Sequence, residues 1–222
     1  MSNSSYVIAI SGPSGSGKTS LVKAVAEGLG DSAMLFFDDF PSDFPPGAEQ
    51  WATEPDADFS RVSSPEFAEA LAALGNGRSI VLPDLSDSVG RDRSREVSAA
   101  RYTVIEEPYG RLRPETARSI DFVVFISTPL NVALARRLSR QIDWHERWAH
   151  AAADADERAE RLQAGISALT SYLEPYAAWE HVVLGEEARQ LSQSSDLTVD
   201  GLRSVEDLAS AVVAAVRRVA QD

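Results

Sequence analysis

The feature that most constrains this chain is the segment at residues 12–19, which reads GPSGSGKT and matches the pattern G-x-x-x-x-G-K-[ST]. The run before it, residues 6–10 (YVIAI), is apolar and rich in β-formers, which is typical of a buried strand. From Lys18 onwards apolar residues recur on one helical face, and Gly30 stands where a helix C-cap is expected. A strand, a glycine-rich loop and a helix in this order predict backbone N–H groups that point at phosphate oxygens.

The loop therefore predicts a binding site for a nucleoside triphosphate. Lys18 is expected to reach the β- and γ-phosphates, and the Thr19 hydroxyl to ligate Mg²⁺. The alternative is an accidental match in a Gly/Ser-rich turn, but strand, helix, Lys and Thr together argue against it. The predicted nucleotide-binding residues are Gly12, Pro13, Ser14, Gly15, Ser16, Gly17, Lys18, Thr19 and Ser20.

The composition restricts the partners of the chain. The formal net charge over 222 residues is -13, so nucleic acid is not expected as a partner, because it needs a basic surface. The absence of cysteine excludes disulfides and thiolate metal sites. The apolar runs are too short to span a bilayer, and the polar start lacks the features of a signal peptide. We expect a cytoplasmic enzyme without a membrane partner, formed by a single domain over residues 1–222; the sequence leaves its oligomeric state open.

Strand-like and helix-like segments alternate along the chain. Apolar runs predict strands at residues 33–37, 79–82, 103–105, 122–127 and 197–199. Amphipathic patterns predict helices from residue 65, over 130–148 with a continuation to about 169, and over 205–219. The Arg-rich stretch between the second and third of these runs is interpreted as a loop or helix. This alternation is typical of an α/β fold, a mostly parallel sheet with helices on both faces, which binds ligands at the carboxyl ends of its strands.

Carboxylates follow two of the predicted strands. Asp38 and Asp39 follow the second strand, where one could accept a proton from an attacking hydroxyl while the other holds metal-bound water or a substrate hydroxyl. A solvated acidic turn is the alternative. Glu106 follows the strand at residues 103–105, a position from which an acidic residue can orient metal-bound water, and here the alternative is a surface Glu beside a turn proline.

The helix predicted from residue 130 is rich in arginine. Its arginines recur about one helical turn apart, so that some share a face. They are Arg136, Arg137, Arg140 and Arg147. In a helical lid over residues of about 136–160, such side chains would neutralise charge on a phosphoryl group during its transfer. The alternative is a solvated helix face whose arginines pair with neighbouring acidic residues.

Taken together, these motifs resemble the uridine kinase-like branch of the P-loop kinases, which includes nucleoside and nicotinamide riboside kinases. The family's Asp-Asp-Phe motif is similar to residues 38–40, and its strand ending in Glu-Gly is similar to Ile105-Glu106, with Glu107 in place of the glycine. Its lid helix, L-x-R-R-x-x-R after a strand, is similar to residues 122–140. Further similarities fall at residues 51–58, 172–180 and 196–219. The resemblance implies a P-loop kinase fold with a helical lid, in which Asp38 is the catalytic base.

The chain departs from that family on the side expected to face the acceptor. The family's P-x-Y-D and H-S-R elements correspond to residues 83–93, which contain neither Tyr nor His, and its R-G-R is replaced by residues 145–147 (HER). Crowded carboxylates repel an anion, so we expect a neutral or cationic acceptor. The residues predicted to face it are Asp39, Asp58, Asp84, Asp87, Arg91 and Arg93.

The combined expectation is a kinase that uses ATP and Mg²⁺ to phosphorylate a hydroxyl of a nucleoside-like or other polyhydroxy small molecule. The expected catalytic residues are Asp38, Lys18, Arg137 and Arg140, and the expected metal ligands are Thr19 and Glu106. One alternative is an O-phosphotransferase that modifies an antibiotic or another secondary metabolite on the same scaffold. Another is a regulatory P-loop ATPase, which needs a water-positioning residue and switch loops instead of a base beside an open pocket.

Overall fold

The main sheet is parallel throughout, as the alternation of strands and helices predicts. A computed structural model describes residues 4–44, 47, 57–83 and 94–220. Its strands are β1 (Tyr6–Ser11), β2 (Ser32–Phe36), β3 (Ile80–Pro83), β4 (Ser94–Val97), β5 (Tyr102–Glu106), β6 (Phe122–Ser127) and β7 (Leu197–Asp200). Five of them form the main sheet in the order β2-β5-β1-β6-β7, and every pairing in it is parallel.

Helices cover both faces of this sheet. They are α1 (Lys18–Leu29), α2 (Pro65–Gly75), α3 (Pro114–Ala117), α4 (Leu130–His150), α5 (Ala155–Pro175), α6 (His181–Ser194) and α7 (Val205–Val219). Side chains alternate across a strand, so Ile8 and Ile10 pack with α1 and α7 while Val7 and Ala9 pack with α2 on the opposite face. Fully burying a side chain such as Ile8 stabilises the fold by roughly 1.5–3 kcal/mol. The predicted α/β fold is confirmed.

The hairpin β3–β4 differs from the expectation. The strand predicted at residues 79–82 is present as β3, but it pairs with β4 in a separate two-stranded antiparallel sheet. The Arg-rich stretch interpreted as a loop or helix contains β4 in its described part, and residues 84–93 lie outside the described residues. An apolar run predicts a strand without saying which neighbour it will pair with, and this explains the difference.

The region after β6 is a long helical excursion. The predicted lid, about residues 136–160, falls in α4 and the first turns of α5. A π-helical turn, Tyr176–Glu180, follows Pro175 and leads directly into α6, which the sequence patterns had not indicated. No helix in the described ranges is both long and apolar enough to cross a membrane.

Three strand ends meet at one edge of the main sheet. In the parallel register, Glu106 at the end of β5 lies level with Ile10 of β1 and Phe36 of β2. The loop after β1 and the turn after β2 therefore start beside Glu106. This edge is where ligands are expected in an open parallel sheet.

Candidate active site

The loop between β1 and α1 is shaped by glycines with positive φ. Gly12, Gly15 and Gly17 have φ of 144°, 90° and 100°, which side chains rarely allow. A Cβ atom on Gly15 would also lie 2.2 Å from the carbonyl oxygen of Ala133 in α4. The loop and α4 therefore approach each other so closely that only glycine fits at residue 15.

Lys18 lies folded across this loop. Its Nζ donates hydrogen bonds to the carbonyl oxygens of Gly12, at 2.9 Å, and Pro13, at 3.3 Å. Glu106 Oε1 is 3.9 Å from the same nitrogen. Burial lowers the pKa of Lys18, and the negative charge of Glu106 opposes that shift. The ammonium group is thus held over the loop at which the sequence predicts phosphate binding.

Thr19 and Glu106 offer two oxygen ligands side by side. The Thr19 hydroxyl donates a hydrogen bond of 2.8 Å to Glu106 Oε2, and the Glu106 side chain is buried. Mg²⁺ is usually held by one or two protein ligands together with substrate phosphates and water, and this pair fits that pattern. Within the described ranges no group of three or more His, Asp or Glu could hold a metal by itself. A metal ion here would need phosphate oxygens to complete its coordination.

The loop opens into a cleft of about 670 Å³. Most of the predicted nucleotide-binding residues line it: Gly12, Ser14, Gly15, Gly17, Lys18, Thr19 and Ser20. Pro13 and Ser16 instead hold the loop together, because the Ser16 N–H donates to the Pro13 carbonyl at 3.0 Å. The Ser16 side chain is buried.

Three arginines of α4 line the same cleft. The Arg136 guanidinium donates a hydrogen bond of 3.0 Å to the carbonyl oxygen of Gly201, after β7. Arg137 stacks 3.9 Å from the centre of the Tyr172 ring, and its Nη1 lies 3.9 Å from Glu180 Oε1. The positive charge of Arg140 contributes to the lowered pKa of Lys18.

These arginines are not equivalent. Arg140 has no ion-pair partner among the residues that the structure describes, whereas Arg137 pairs with Glu180. Arg147, one of the four arginines in the predicted lid helix, donates to the carbonyl oxygen of Asp143 in its own helix and is not among the described residues that line the cleft.

The two aspartates after β2 separate in the structure. They lie in a 3₁₀ turn, Phe37–Asp39, and Asp38 lines the cleft. The Asp39 carboxylate instead forms an ion pair with Arg95 of β4. Of the two residues, the structure brings only Asp38 to the cleft.

Asp58, the other predicted acceptor-side residue that the structure describes, does not line the cleft. Asp58 caps the 3₁₀ turn Phe59–Arg61, where its Oδ1 accepts hydrogen bonds from the Ser60 N–H, at 3.1 Å, and from the Ser60 hydroxyl. An Asp just before such a turn satisfies its free backbone donors, which explains this placement. Asp84, Asp87, Arg91 and Arg93 lie outside the described residues, as do residues 51–56.

The structure adds cleft residues that the sequence patterns missed. Tyr109 follows β5, stacks on Phe59 with ring centres 5.8 Å apart, and lines the cleft. Burial and nearby carboxylates, chiefly Glu187, raise the pKa of Tyr109, so its hydroxyl stays protonated. Glu180 and Glu187 also line the cleft, from the π-helical turn and from α6. No spacing or motif in this stretch could have identified them.

A buried ion pair supports the turn that carries Asp38. Arg113 is fully buried, with its Nη1 3.8 Å from Glu107 Oε1 and its guanidinium 4.9 Å from the centre of the Phe37 ring. The Thr116 hydroxyl donates to Glu107 Oε2 at 3.1 Å. Burial raises the pKa of Glu107 to about 7, although Arg113 opposes the shift. Glu107 thus helps to hold Arg113, which packs against Phe37 in this turn.

A comparison with models of protein families identifies the family of this chain. Residues 7–183 match the family described as "Phosphoribulokinase / Uridine kinase family". Among solved structures, the chain is similar to a possible uridine kinase from Bacillus stearothermophilus, at 18% identity over 89% of each chain with a TM-score of 0.47. It is also similar to the YGR205w protein, at 15% identity over 90% of this chain and 88% of that one, with a TM-score of 0.43.

A search of curated proteins gives no match. The family match runs over most of the chain and includes the glycine-rich loop, Asp38, Glu106 and the arginines of α4. The chain therefore belongs to the phosphoribulokinase/uridine kinase family of kinases.

Proposed function

We propose that the chain is an ATP-dependent kinase that transfers the γ-phosphate to a hydroxyl group of a nucleoside-like or other polyhydroxy small molecule. The observation that carries this proposal is that Asp38 lines the same cleft as Lys18 and Thr19. A phosphate-binding loop and an exposed carboxylate that share one cleft are what direct transfer to a hydroxyl requires. As part of the same proposal, the protein works in the cytoplasm on a small molecule, without nucleic acid or a membrane as its partner.

At the phosphate end, the chain's own groups are arranged to bind and orient a triphosphate. The loop glycines and the start of α1 present backbone N–H groups, and α1 adds the partial positive charge of its N-terminus. Thr19 and Glu106 would hold Mg²⁺, which when bound neutralises negative charge on the phosphates. Lys18 would exchange its hydrogen bonds to the loop carbonyls for phosphate oxygens.

At the other end, Asp38 would accept the proton of the acceptor hydroxyl as that oxygen attacks. Lys18 and Arg140 would stabilise the negative charge on the phosphoryl group during its transfer. Arg137 would have to weaken its pairing with Glu180 to do the same, so we expect Arg140 to contribute more. The protonated Tyr109 hydroxyl is a hydrogen-bond donor available to orient the acceptor.

The test is an ADP-release assay with ATP and Mg²⁺ over nucleosides, nucleoside monophosphates, aminoglycosides and other hydroxylated antibiotics. The proposal expects turnover with at least one compound that carries no phosphate, and loss of that turnover in Asp38→Asn. Turnover confined to the monophosphates would contradict the proposed acceptor class. ADP release that no added compound increases would contradict the kinase assignment itself and favour a regulatory ATPase.

A further inference from the structure

Glu187 of α6 is a largely buried residue at the wall of the cleft. Its residue is only 7% exposed, and its carboxyl group forms no hydrogen bond or ion pair with any described residue. Buried polar groups in folded proteins nearly always have a hydrogen-bond partner, because an unpaired one loses its hydration without compensation. The exception therefore needs an explanation.

The carboxyl group faces the cleft, where a ligand could supply that partner. Glu187 lines the same cleft as Asp38 and Tyr109. Lys18 is the nearest cation that acts on it, but the Lys18 ammonium is already bonded to two loop carbonyls and lies beside Glu106. Burial raises the pKa of Glu187 to about 8, and Glu180 adds to the shift.

The charges around Glu187 indicate what kind of group it would bind. Asp38, Glu180 and Glu187 place three carboxyl groups along the wall of one cleft. Of the cations on the described wall, Lys18 acts on both Glu187 and Asp38, but its ammonium group is bonded to the loop carbonyls. Arg137 is paired with Glu180 and stacked on Tyr172. A ligand group that donates a hydrogen bond and carries a positive charge would pair with the Glu187 carboxyl group and offset the negative charge along this wall.

We propose that Glu187 is a specificity-determining residue that binds a positively charged amine of the acceptor. The substrate is then a polyhydroxy compound that also carries an ammonium group. This inference rests on the proposed function. It narrows the expected class of acceptor from neutral or cationic compounds to cationic compounds.

The experiment compares matched acceptors in the ADP-release assay. Each amine-bearing polyhydroxy compound, such as glucosamine or an aminoglycoside, is paired with its N-acetylated form, which keeps the hydroxyls and loses the charge. The enzymes are the wild type, Glu187→Gln and Glu186→Gln. Glu186 is the matched control because it neighbours Glu187 on α6 but pairs with Arg189 on the surface.

The inference expects the wild type to prefer the amine-bearing member of the pair that it phosphorylates best. Glu187→Gln should lose at least about 10-fold in kcat/KM on that member, which is typical of a lost hydrogen bond to a charged group. The N-acetylated member should change little, and Glu186→Gln should behave like the wild type. Equal kcat/KM for both members in the wild type, or an unchanged preference in Glu187→Gln, would overturn the inference.

A second variant guards against a folding defect. If Glu187→Gln does not fold, Glu187→Asp should keep the preference for the amine-bearing member at a reduced kcat/KM, because it keeps the charge. Loss of that preference in a folded Glu187→Asp would count against the inference. Failure of the proposed function looks different, since the wild type would then release no additional ADP with any hydroxyl compound, charged or neutral.

Discussion

The two ends of the cleft are built in different ways. At the phosphate end, the loop after β1 and the first turn of α1 supply a continuous stretch of the wall, and the buried Glu106 carboxylate is already hydrogen-bonded to Thr19. At the acceptor end, Asp38, Tyr109 and Glu187 come from three distant segments, and the buried Glu187 carboxyl has no partner among the described residues. The buried carboxyl group at the phosphate end is therefore paired in the free protein, whereas the one at the proposed acceptor end has no partner in the described part of the chain.

This difference matches what each end has to recognise. A triphosphate is the same ligand for every member of a kinase family, and backbone N–H groups with one lysine can bind it whatever the acceptor is. An acceptor varies, so its side of the cleft depends on individual side chains. Variants at the two ends should therefore fail in different ways, and the predictions below test that division from the largest expected effect to the smallest.

The largest effect is expected at Lys18. Lys18→Ala should lower kcat by at least about 10²–10³-fold, because it removes a preorganised positive charge from the phosphoryl group. Turnover and nucleotide affinity measure the effect, with circular dichroism as the check on folding. Lys23→Ala is the matched control, since Lys23 is exposed on the same helix. If Lys18→Ala kept most of its turnover, the phosphate end would not work as described.

The next effect separates the two aspartates after β2. Asp38→Asn should lower kcat by about 10²-fold or more and leave the Kd for ATP nearly unchanged, as expected for the loss of a general base. Asp39→Asn should have a much smaller effect on kcat, because Asp39 pairs with Arg95 instead of facing the cleft. Calorimetry and steady-state kinetics on both variants show which aspartate acts as the general base. A larger loss in Asp39→Asn would reverse the assignment.

A smaller effect is expected in α4. Arg140→Ala should lower kcat by about 10-fold and change the KM for ATP less, since it removes a contact made mainly in the transition state. Arg137→Ala should cost less activity, because Arg137 already pairs with Glu180. Arg147→Ala should leave both constants unchanged. Equal changes in kcat and KM for Arg140→Ala would mean that Arg140 binds the nucleotide without favouring transfer.

The smallest effect is expected in the pH dependence of stability. As the pH rises, the neighbouring residues Glu186 and Glu187 of α6 should change the free energy of unfolding in opposite directions. Burial raises the pKa of Glu187 from 4.5 to about 8, so its contribution to stability is full below pH 4.5 and is lost as pH rises through 8. Hydrogen bonds from Arg189 and Gln190 lower the pKa of Glu186 to about 2, so its contribution is present above pH 4.5 and is lost as pH falls towards 2.

Denaturant unfolding of the ligand-free protein at a series of pH values measures both contributions. Relative to the wild type, Glu187→Gln should lose part of the decline in the free energy of unfolding between pH 4.5 and 8. Glu186→Gln should instead lose part of the decline towards acidic pH. If Glu187→Gln followed the wild type between pH 4.5 and 8, the carboxyl group would not be desolvated in the free protein.

The difference between the two ends of the cleft also explains how much of the structure could be predicted from the sequence. The glycine-rich loop, the strand before it and the helix after it are formed by neighbouring residues, so their pattern predicts their structure. The pairing of β3 with β4 depends on tertiary contacts, and the sequence identifies the first strand without its partner. An apolar run followed by a turn signal predicts a strand, but it does not indicate which other strand will pair with it.

The acceptor side was harder to predict for a similar reason. The pair Asp38-Asp39 was identified, but which of the two faces the cleft depends on Arg95, 56 residues away in the chain. Glu187 carries no motif, and it reaches the cleft because α6 packs against β6 and α4. Its role depends on what surrounds it, which a sequence pattern does not contain.

The most direct test of the whole account follows the phosphate. The wild type and Asp38→Asn are incubated with Mg²⁺, ATP labelled at the γ-phosphate and the best acceptor from the screen, and the products are separated by chromatography. The account predicts that the wild type transfers the label to a hydroxyl of the acceptor and that Asp38→Asn transfers it about 10²-fold more slowly. Label recovered only as inorganic phosphate, at the same rate with and without acceptor, would contradict it.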